Sequence, residues 1–120
     1  MNTLPKPIVV LEVGATHTGL ESCLRLIDAT PPASAIKFQT VWARTLMARG
    51  TRPETIRYQD AYGWHEEITY TLLEKRQLLW GKWQRVFLYA KQKGVYAFST
   101  PDSGATTQTL AGIGCRAIKI

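Results

Sequence analysis

Apolar positions near the start of the chain follow the strand period first and the helix period next. Residues 8–13 form a near-continuous apolar run that only Glu12 interrupts. Such a run is typical of a strand buried on both faces of a parallel sheet. The apolar residues that follow recur at helical spacing and predict a helix with one apolar face: Leu20, Cys23, Leu24 and Ile27.

Local signals predict where this first helix begins and ends. Thr18 and Glu21 fit a capping box with Thr18 as the N-cap, and the prolines at 31–32 predict the end of the helix. Residues 35–40 then form a second apolar strand. The three elements make a βαβ unit, which we expect to cross over in the right-handed sense.

A long connection follows at about residues 41–66, where basic residues alternate with aromatic ones such as Trp42 and Trp64. Long connections in compact domains are usually functional or disordered, and the aromatic content favours an ordered flap. Interleaved basic and aromatic residues also suit single-stranded nucleic acid. No recognisable nucleic-acid motif accompanies them, so we expect no nucleic-acid partner.

The second half of the chain repeats the alternation of helix and strand. Residues 67–93 have helical spacing, with Gly81 predicted to separate a short helix from a longer one. Further elements are predicted as a strand at 95–99, a weak helix at 103–111 and a last strand at 117–120. The order β-α-β-loop-α-β-α-β predicts an α/β fold with a parallel sheet. Because an apolar strand stands at the last residue, we expect the native fold to continue.

Composition restricts the function less than the pattern does. The 120 residues are 45% hydrophobic, enough for one soluble domain, and no apolar run approaches a membrane span. Without a signal peptide the expected location is cytoplasmic, and the two distant cysteines are expected to be buried thiols. The formal charge of +6 suits an anionic small molecule or acidic partner as well as nucleic acid.

Polar side chains cluster where the predicted strands end, which is where parallel α/β folds bind ligands. Lys37 and Gln39 alternate with apolar neighbours and therefore point to one face. A lysine in an apolar run is costly to bury unless a negative group meets it, so one anion held between Lys37 and Lys119 is one reading. The other is that each lysine reaches water at a strand end. The full set of strand-end candidates is Glu12, Lys37, Gln39, Ser99, Thr100 and Lys119.

Four segments, in order, resemble one enzyme family. Residues 12–19 (EVGATHTG) resemble its Glu-Ile-Gly-x-Asn-His-Asn-Gly signature, and 36–40 (IKFQT) resemble Val-Lys-Phe-Gln-Thr. Residues 97–101 (AFSTP) are similar to Phe-Ser-Thr-Pro, and 117–120 (AIKI) to the Phe-Lys-Ile that precedes Pro-Ser-Gly-Glu. The family is that of the N-acetylneuraminate (sialic acid) synthases and their legionaminate and pseudaminate relatives.

The resemblance implies the N-terminal half of a (β/α)8 TIM barrel, about four strands over residues 1–120. The family enzyme is a transferase that condenses phosphoenolpyruvate with an N-acylated amino sugar of the N-acetylmannosamine type. The product is a nine-carbon 2-keto sugar acid, and phosphate is released. By the resemblance, the phosphoenolpyruvate anion is held by Lys37, Thr100 and Lys119, with Ser99 beside them.

On the sugar side, the resemblance implies that Gln39 contacts the sugar and that Glu12 is a catalytic acid or electrostatic group. It also implies a divalent metal, Mn²⁺ or Mg²⁺, whose ligands are not in this chain. Such a Lewis acid would polarise the sugar aldehyde. The two asparagines of the signature are Thr16 and Thr18 here, which departs from the sugar-side pattern.

By the resemblance, the chain is half of an enzyme, because the C-terminal half of the barrel and the small antifreeze-like domain of the family are missing. We expect it to be inactive alone and to need a homodimer partner or a complementing C-terminal half. Two alternatives stay open. One is a related phosphoenolpyruvate-dependent 3-deoxy-keto-acid sugar synthase, and the other is a non-catalytic α/β module that binds an anionic metabolite or a partner.

Overall fold

The computed structural model describes residues 8–47 and 53–120 of the chain, which form a mixed α/β fold. Its elements in chain order are β1 (Val10–Gly14), α1 (Leu20–Ala29), β2 (Ala35–Thr40), α2 (Ala43–Leu46), β3 (Thr55–Asp60), β4 (Gly63–Ile68), α3 (Thr69–Lys75), α4 (Trp80–Gln92), β5 (Tyr96–Pro101) and α5 (Gly104–Gly112). Three strands pair in parallel in the order β1-β2-β5. The predicted parallel sheet is therefore confirmed.

The core lies between one face of this sheet and the helices. Trp83 of α4 is fully buried and meets the ring of Phe38 of β2, with ring centroids 5.7 Å apart. Ile27 of α1 and Ile36 of β2 are also fully buried in the same cluster. Burying side chains of this size stabilises a fold by about 1.5–3 kcal/mol each, so the helix-facing side of the sheet holds the domain together.

The start of α1 differs from the capping-box prediction. Gly19, not Thr18, is the N-cap, and no side chain caps the helix. Gly19 has a φ of 130°, a conformation that glycine adopts without steric cost, and its N–H donates to Nδ1 of His17. The chain therefore turns at the glycine, and Thr18 is left exposed.

The connection at 41–66 is not a single loop. It contains the short helix α2 and an antiparallel hairpin, β3–β4, in which Tyr58 pairs with His65. The two residues between the strands, 61 and 62, make the tight turn, and Gly63 beyond them has a φ of 119°. The prediction of an ordered segment holds, but the prediction of a loop is wrong. The hairpin strands were missed because they have no apolar face that would show the strand period. Residues 48–52 of this connection lie outside the described residues.

The segment predicted to be helical at 67–93 begins with residues 67–68 in strand β4, and its helical part breaks before the predicted point. The helices α3 and α4 are separated at residues 76–79, and Gly81 lies inside α4. Two contacts stabilise the non-helical residues between α3 and α4. The side-chain oxygen of Gln77 accepts a hydrogen bond from the Ala43 N–H at 2.5 Å, and Leu78 is buried. Tertiary packing, rather than the helix propensity of glycine, sets the boundary.

The predicted last strand is only partly formed. Within 117–120 a single parallel bridge joins Ile118 to Ser99, and the N–H of Lys119 donates to the Ser99 carbonyl at 3.1 Å. The chain therefore runs beside β5 at the position that a fourth parallel strand would occupy. At the other end, β1 begins at Val10 rather than at residue 8, and β5 extends to Pro101.

Among the residues that the structure describes, no helix is both long and apolar enough to cross a membrane.

Candidate functional site

The polar candidates from the sequence lie mainly on the sheet face opposite the helices. In β2, Ile36 and Phe38 are buried against the core, so the alternate residues Lys37 and Gln39 point away from it. Across the sheet Lys37 is level with Glu12 of β1, and Gln39 is level with Thr100 of β5. We call Glu12, Lys37, Gln39 and Thr100 the polar row.

An ion pair forms the first half of the polar row. Nζ of Lys37 donates to both carboxylate oxygens of Glu12 at 2.9 Å. The Lys37 side chain is 14% exposed, whereas that of Glu12 is 59% exposed. The lysine is thus held in place by a counter-ion that water can still reach, and an incoming anion competes with that counter-ion for Lys37.

A register shift in β1 brings the two groups of this ion pair together. Glu12 is level with Lys37, but the next paired residue of β1 is Gly14, which is level with Phe38. Val13 is the extra residue at this irregularity and is buried. Glycine fits the position after it, because Gly14 has a φ of 59°. The local backbone therefore keeps Glu12 beside Lys37 while Val13 packs into the core.

The second half of the polar row contains a hydroxyl group for which the described part of the chain provides no partner. The Oγ1 atom of Thr100 is buried and has no hydrogen-bond partner among the described residues. Buried hydroxyls are normally bonded, and leaving one unpaired costs about 1–3 kcal/mol. An oxygen of a ligand lying over the row would satisfy it.

Lys119 lies near this second half, although it is exposed. Ile118 is bridged to Ser99, so the next residue, Lys119, is level with Thr100. Two strand spacings of about 4.8 Å separate its backbone from that of β2. Long side chains from Lys37 and Lys119 can therefore reach one anion between them.

Ser99 differs from the other candidates in the face it occupies. It is fully buried, and its Oγ shares a 2.7 Å hydrogen bond with Oγ1 of Thr40. Both residues are on the helix-facing side, since Ser99 is level with Phe38. Its side chain joins the ends of β2 and β5 and does not belong to the polar row.

Asp102 is a residue that the sequence reasoning missed. One of its carboxylate oxygens accepts a hydrogen bond from the Trp42 N–H at 2.8 Å, and the other accepts from Oγ1 of Thr106 at 2.6 Å. It thereby connects the segment after β2 to the start of α5, where Ser103 caps the helix. An aspartate directly after a strand and before a helix was the signal that could have identified it.

His17 lies in the turn after β1 and is 1% exposed. Its Nδ1 accepts a hydrogen bond from the Gly19 N–H at 3.3 Å, which leaves the proton on Nε2. The imidazole ring packs nearly perpendicular to the ring of Trp83, with the ring centroids 5.8 Å apart. Arg76 donates to its carbonyl oxygen. Burial, and secondarily the nearby Arg76 charge, lower the His17 pKa, so this histidine is a neutral member of the turn.

The structure also bears on the metal that the sequence resemblance implies. Residues 8–47 and 53–120 contain no group of three or more His, Cys, Asp or Glu side chains that could hold a metal ion. The polar row contributes one carboxylate, Glu12, and that carboxylate is engaged by Lys37. The described residues therefore do not form a complete metal site by themselves.

Two solved structures share the fold over nearly the whole chain. An N-acetylneuraminic acid (sialic acid) synthetase from Leptospira borgpetersenii serovar Hardjo-bovis, in complex with citrate, superposes with a TM-score of 0.71 at 21% identity over 94% of this chain. A putative spore coat polysaccharide biosynthesis protein E from Chromobacterium violaceum ATCC 12472 does so with a TM-score of 0.72 at 20% identity over 96%. The chain spans about a third of each, 35% and 34% of their lengths.

Comparison with models of protein families identifies the family of the chain as well as its fold. No curated protein matches the chain. The model of the NeuB family matches residues 27–120, a range that contains Lys37, Gln39, Ser99, Thr100 and Lys119 but begins after Glu12. Because the match covers well over half of the 120 residues, the chain belongs to the NeuB family.

Proposed function

We propose that the chain carries the phosphoenolpyruvate-binding part of a sialic acid synthase-like enzyme. The reaction joins phosphoenolpyruvate to an N-acylated amino sugar and releases phosphate, giving a nine-carbon 2-keto sugar acid. The observation that carries the proposal is the polar row, in which Lys37 and the unpartnered hydroxyl of Thr100 lie on one face of a parallel sheet. Membership of the NeuB family supports a sugar-acid synthase in general.

The chemistry of the row suits an anion that carries phosphate and carboxylate groups. Lysine binds phosphate as a point charge, and the Lys37 side chain is only 14% exposed, so little further burial of the side chain is needed when the ligand arrives. Thr100 would donate its hydroxyl proton to a ligand oxygen, and Lys119 would supply the second positive charge from the adjoining segment. In this arrangement Ser99 acts indirectly, by fixing the ends of β2 and β5 through Thr40.

Gln39 and Glu12 are assigned to the sugar side of the proposal. The amide of Gln39 is half-buried on the same face as Lys37 and can both donate to and accept from sugar hydroxyls. When the anion takes over Lys37, the Glu12 carboxylate is freed for the sugar. It can then hold a proton or stabilise positive charge near the aldehyde. No step is assigned to a metal, since the described residues contain no group of three or more ligands for one.

We further propose that these residues are half of a (β/α)8 barrel and act with a second half. The solved structures that share the fold are about three times as long as the chain. The polar row lies on the side of the sheet that helices do not cover, which would be the interior of a closed barrel. A second copy of the chain, or a complementing C-terminal half, would complete that interior, and the chain alone would bind phosphoenolpyruvate without turnover.

The experiment is a thermal unfolding series with and without phosphoenolpyruvate. A ligand present at about 100 times its dissociation constant stabilises the folded state by about 2.7 kcal/mol. For a chain of this size that raises Tm by roughly 10 °C. We expect this shift for the wild type and its loss in a Lys37→Ala, Lys119→Ala double variant.

The control is a Lys82→Ala, Arg25→Ala double variant. Both side chains are exposed on helices away from the polar row and have no described partner, so the variant loses the same charge and should keep the full shift. Equal shifts in all three proteins would contradict the proposal. A lysine-dependent shift for inorganic phosphate that phosphoenolpyruvate does not exceed would favour the module that binds an anionic metabolite.

A further inference from the structure

A groove lies on the helix-covered side of the sheet, opposite the polar row. It runs between α4, the start of β5 and the turn after α5, with a volume of about 780 Å³. Its floor is apolar and includes Phe87, Val95 and Cys115, which are 4–6% exposed. We call this feature the α4–α5 groove.

Three cationic side chains surround the α4–α5 groove. Arg85 and Lys91 come from α4, and Arg116 comes from the turn after α5. All three are exposed, and none has an ion pair or side-chain hydrogen bond with the described residues. Among the described residues, no aspartate or glutamate lines the groove, so the charged side chains that line it are all positive.

The size of the groove distinguishes two kinds of occupant. Its α4 wall extends from Gly81 to Lys91, which corresponds to about 15 Å of helix. Its volume falls in the range of about 300–1,000 Å³ found for small-molecule sites. A docked helix would need a broad exposed apolar strip, but Leu88 is the one groove residue among the large exposed hydrophobics of the described chain.

We propose that the α4–α5 groove binds a small amphipathic anion, with an aromatic or alicyclic body on the apolar floor. The carboxylate, sulfonate or phosphate of that anion lies between Arg85, Lys91 and Arg116. This site is separate from the polar row, because its floor belongs to the helix-facing side of the sheet. It does not depend on the proposed synthase function.

The test compares two fluorescent probes that differ in one charge. 1-Anilinonaphthalene-8-sulfonate has the required aromatic body and anion, and N-phenyl-1-naphthylamine has the same body without the sulfonate. We expect the sulfonate to bind the wild type about tenfold more tightly, since three exposed cationic side chains each add a small attraction that the uncharged probe lacks. Its affinity should fall as salt is raised.

Substitutions in the groove test whether the probe binds there. Replacing Arg85, Lys91 and Arg116 together by glutamine should remove the tenfold preference, and an Ala111→Trp change at the groove wall should weaken both probes. The matched control, Arg25, Arg44 and Lys82 replaced by glutamine, loses the same charge outside the groove and should keep the preference.

Two outcomes would overturn the proposal. One is equal binding of the two probes to the wild type, or an equal loss in both triple variants, which would indicate non-specific adsorption. The other is displacement of the sulfonate by an acidic amphipathic helical peptide but not by naphthalene-2-carboxylate. That result would assign the groove to a protein partner.

Discussion

Replacing Glu12 by glutamine should strengthen anion binding at the polar row while it weakens the fold. In the wild type both carboxylate oxygens of Glu12 lie 2.9 Å from Nζ of Lys37. An anion that binds Lys37 must displace that carboxylate or share the lysine with it. Glutamine keeps the size of the side chain but removes the competing charge.

The size of the effect follows from the exposure of the pair. Unit charges 4 Å apart interact by about 4 kcal/mol near a protein surface at an effective dielectric constant of 20. Glu12 is 59% exposed, and pairs open to water are measured at about 0.2–1 kcal/mol. We take about 1 kcal/mol for the pair because Lys37 is only 14% exposed. The dissociation constant for phosphoenolpyruvate should then fall about fivefold, and the free energy of unfolding should fall by about 1 kcal/mol.

The assay is isothermal titration of phosphoenolpyruvate into the wild type and the Glu12→Gln variant, with urea unfolding of both. Glu74→Gln is the control, since Glu74 is exposed on α3 and its loss changes the net charge equally. Weaker binding in Glu12→Gln than in Glu74→Gln would refute the reasoning, because it would mean that Glu12 helps to hold the anion.

Three further predictions concern the interior. Ser99→Ala should cost about 1–3 kcal/mol in urea unfolding, because it leaves the buried hydroxyl of Thr40 unpaired. Thr40→Val should cost less, because Ser99 Oγ keeps its 3.5 Å hydrogen bond to the Thr100 carbonyl. The double variant should cost less than the sum of the two, and additive losses would contradict the shared bond. The pKa of His17 is lower in the folded chain than in the unfolded chain. As the pH drops below about 6.5, the unfolded chain therefore binds a proton at His17 before the folded chain does. The free energy of unfolding should then fall, by at most about 1.4 kcal/mol per pH unit. That slope should vanish in His17→Gln but persist in His65→Gln, and a slope that survives in both would exclude His17 as its source. Burial raises the pKa of Cys23 to about 12, so in a Cys115→Ala background the remaining thiol should react with a disulfide reagent at pH 8 only after unfolding, and rapid native labelling would show that the site opens.

Regular alternation made the sheet predictable from the sequence. The strand at 35–40 was predicted with its observed bounds. Within it, the polar residues Lys37 and Gln39 alternate with apolar residues. A turn precedes Ala35 and the long connection follows Thr40, so both ends were marked. The helix–strand order then determined the parallel pairing of β1, β2 and β5. These features depend on local pattern and on general rules of connection.

Features that depend on register could not be predicted in the same way. Whether Ser99 or Thr100 faces the polar row depends on the pairing of β5 with β2, which the sequence does not state. The contact between Lys37 and Glu12 depends on the irregularity at Val13. The hairpin was missed for a different reason, since β3–β4 is stabilised by side-chain pairs such as Tyr58 with Glu67 rather than by a buried apolar face.

The most direct test of the account is a titration of the ¹⁵N-labelled chain with phosphoenolpyruvate, followed by amide chemical shifts. The polar row predicts that the amides of Lys37, Gln39, Thr100 and Lys119 move together with one dissociation constant, and that Lys37→Ala abolishes the movement. Shifts confined to the α4–α5 groove or to the β3–β4 hairpin, with these four amides unchanged, would contradict the central claim that this face of the sheet binds the anion.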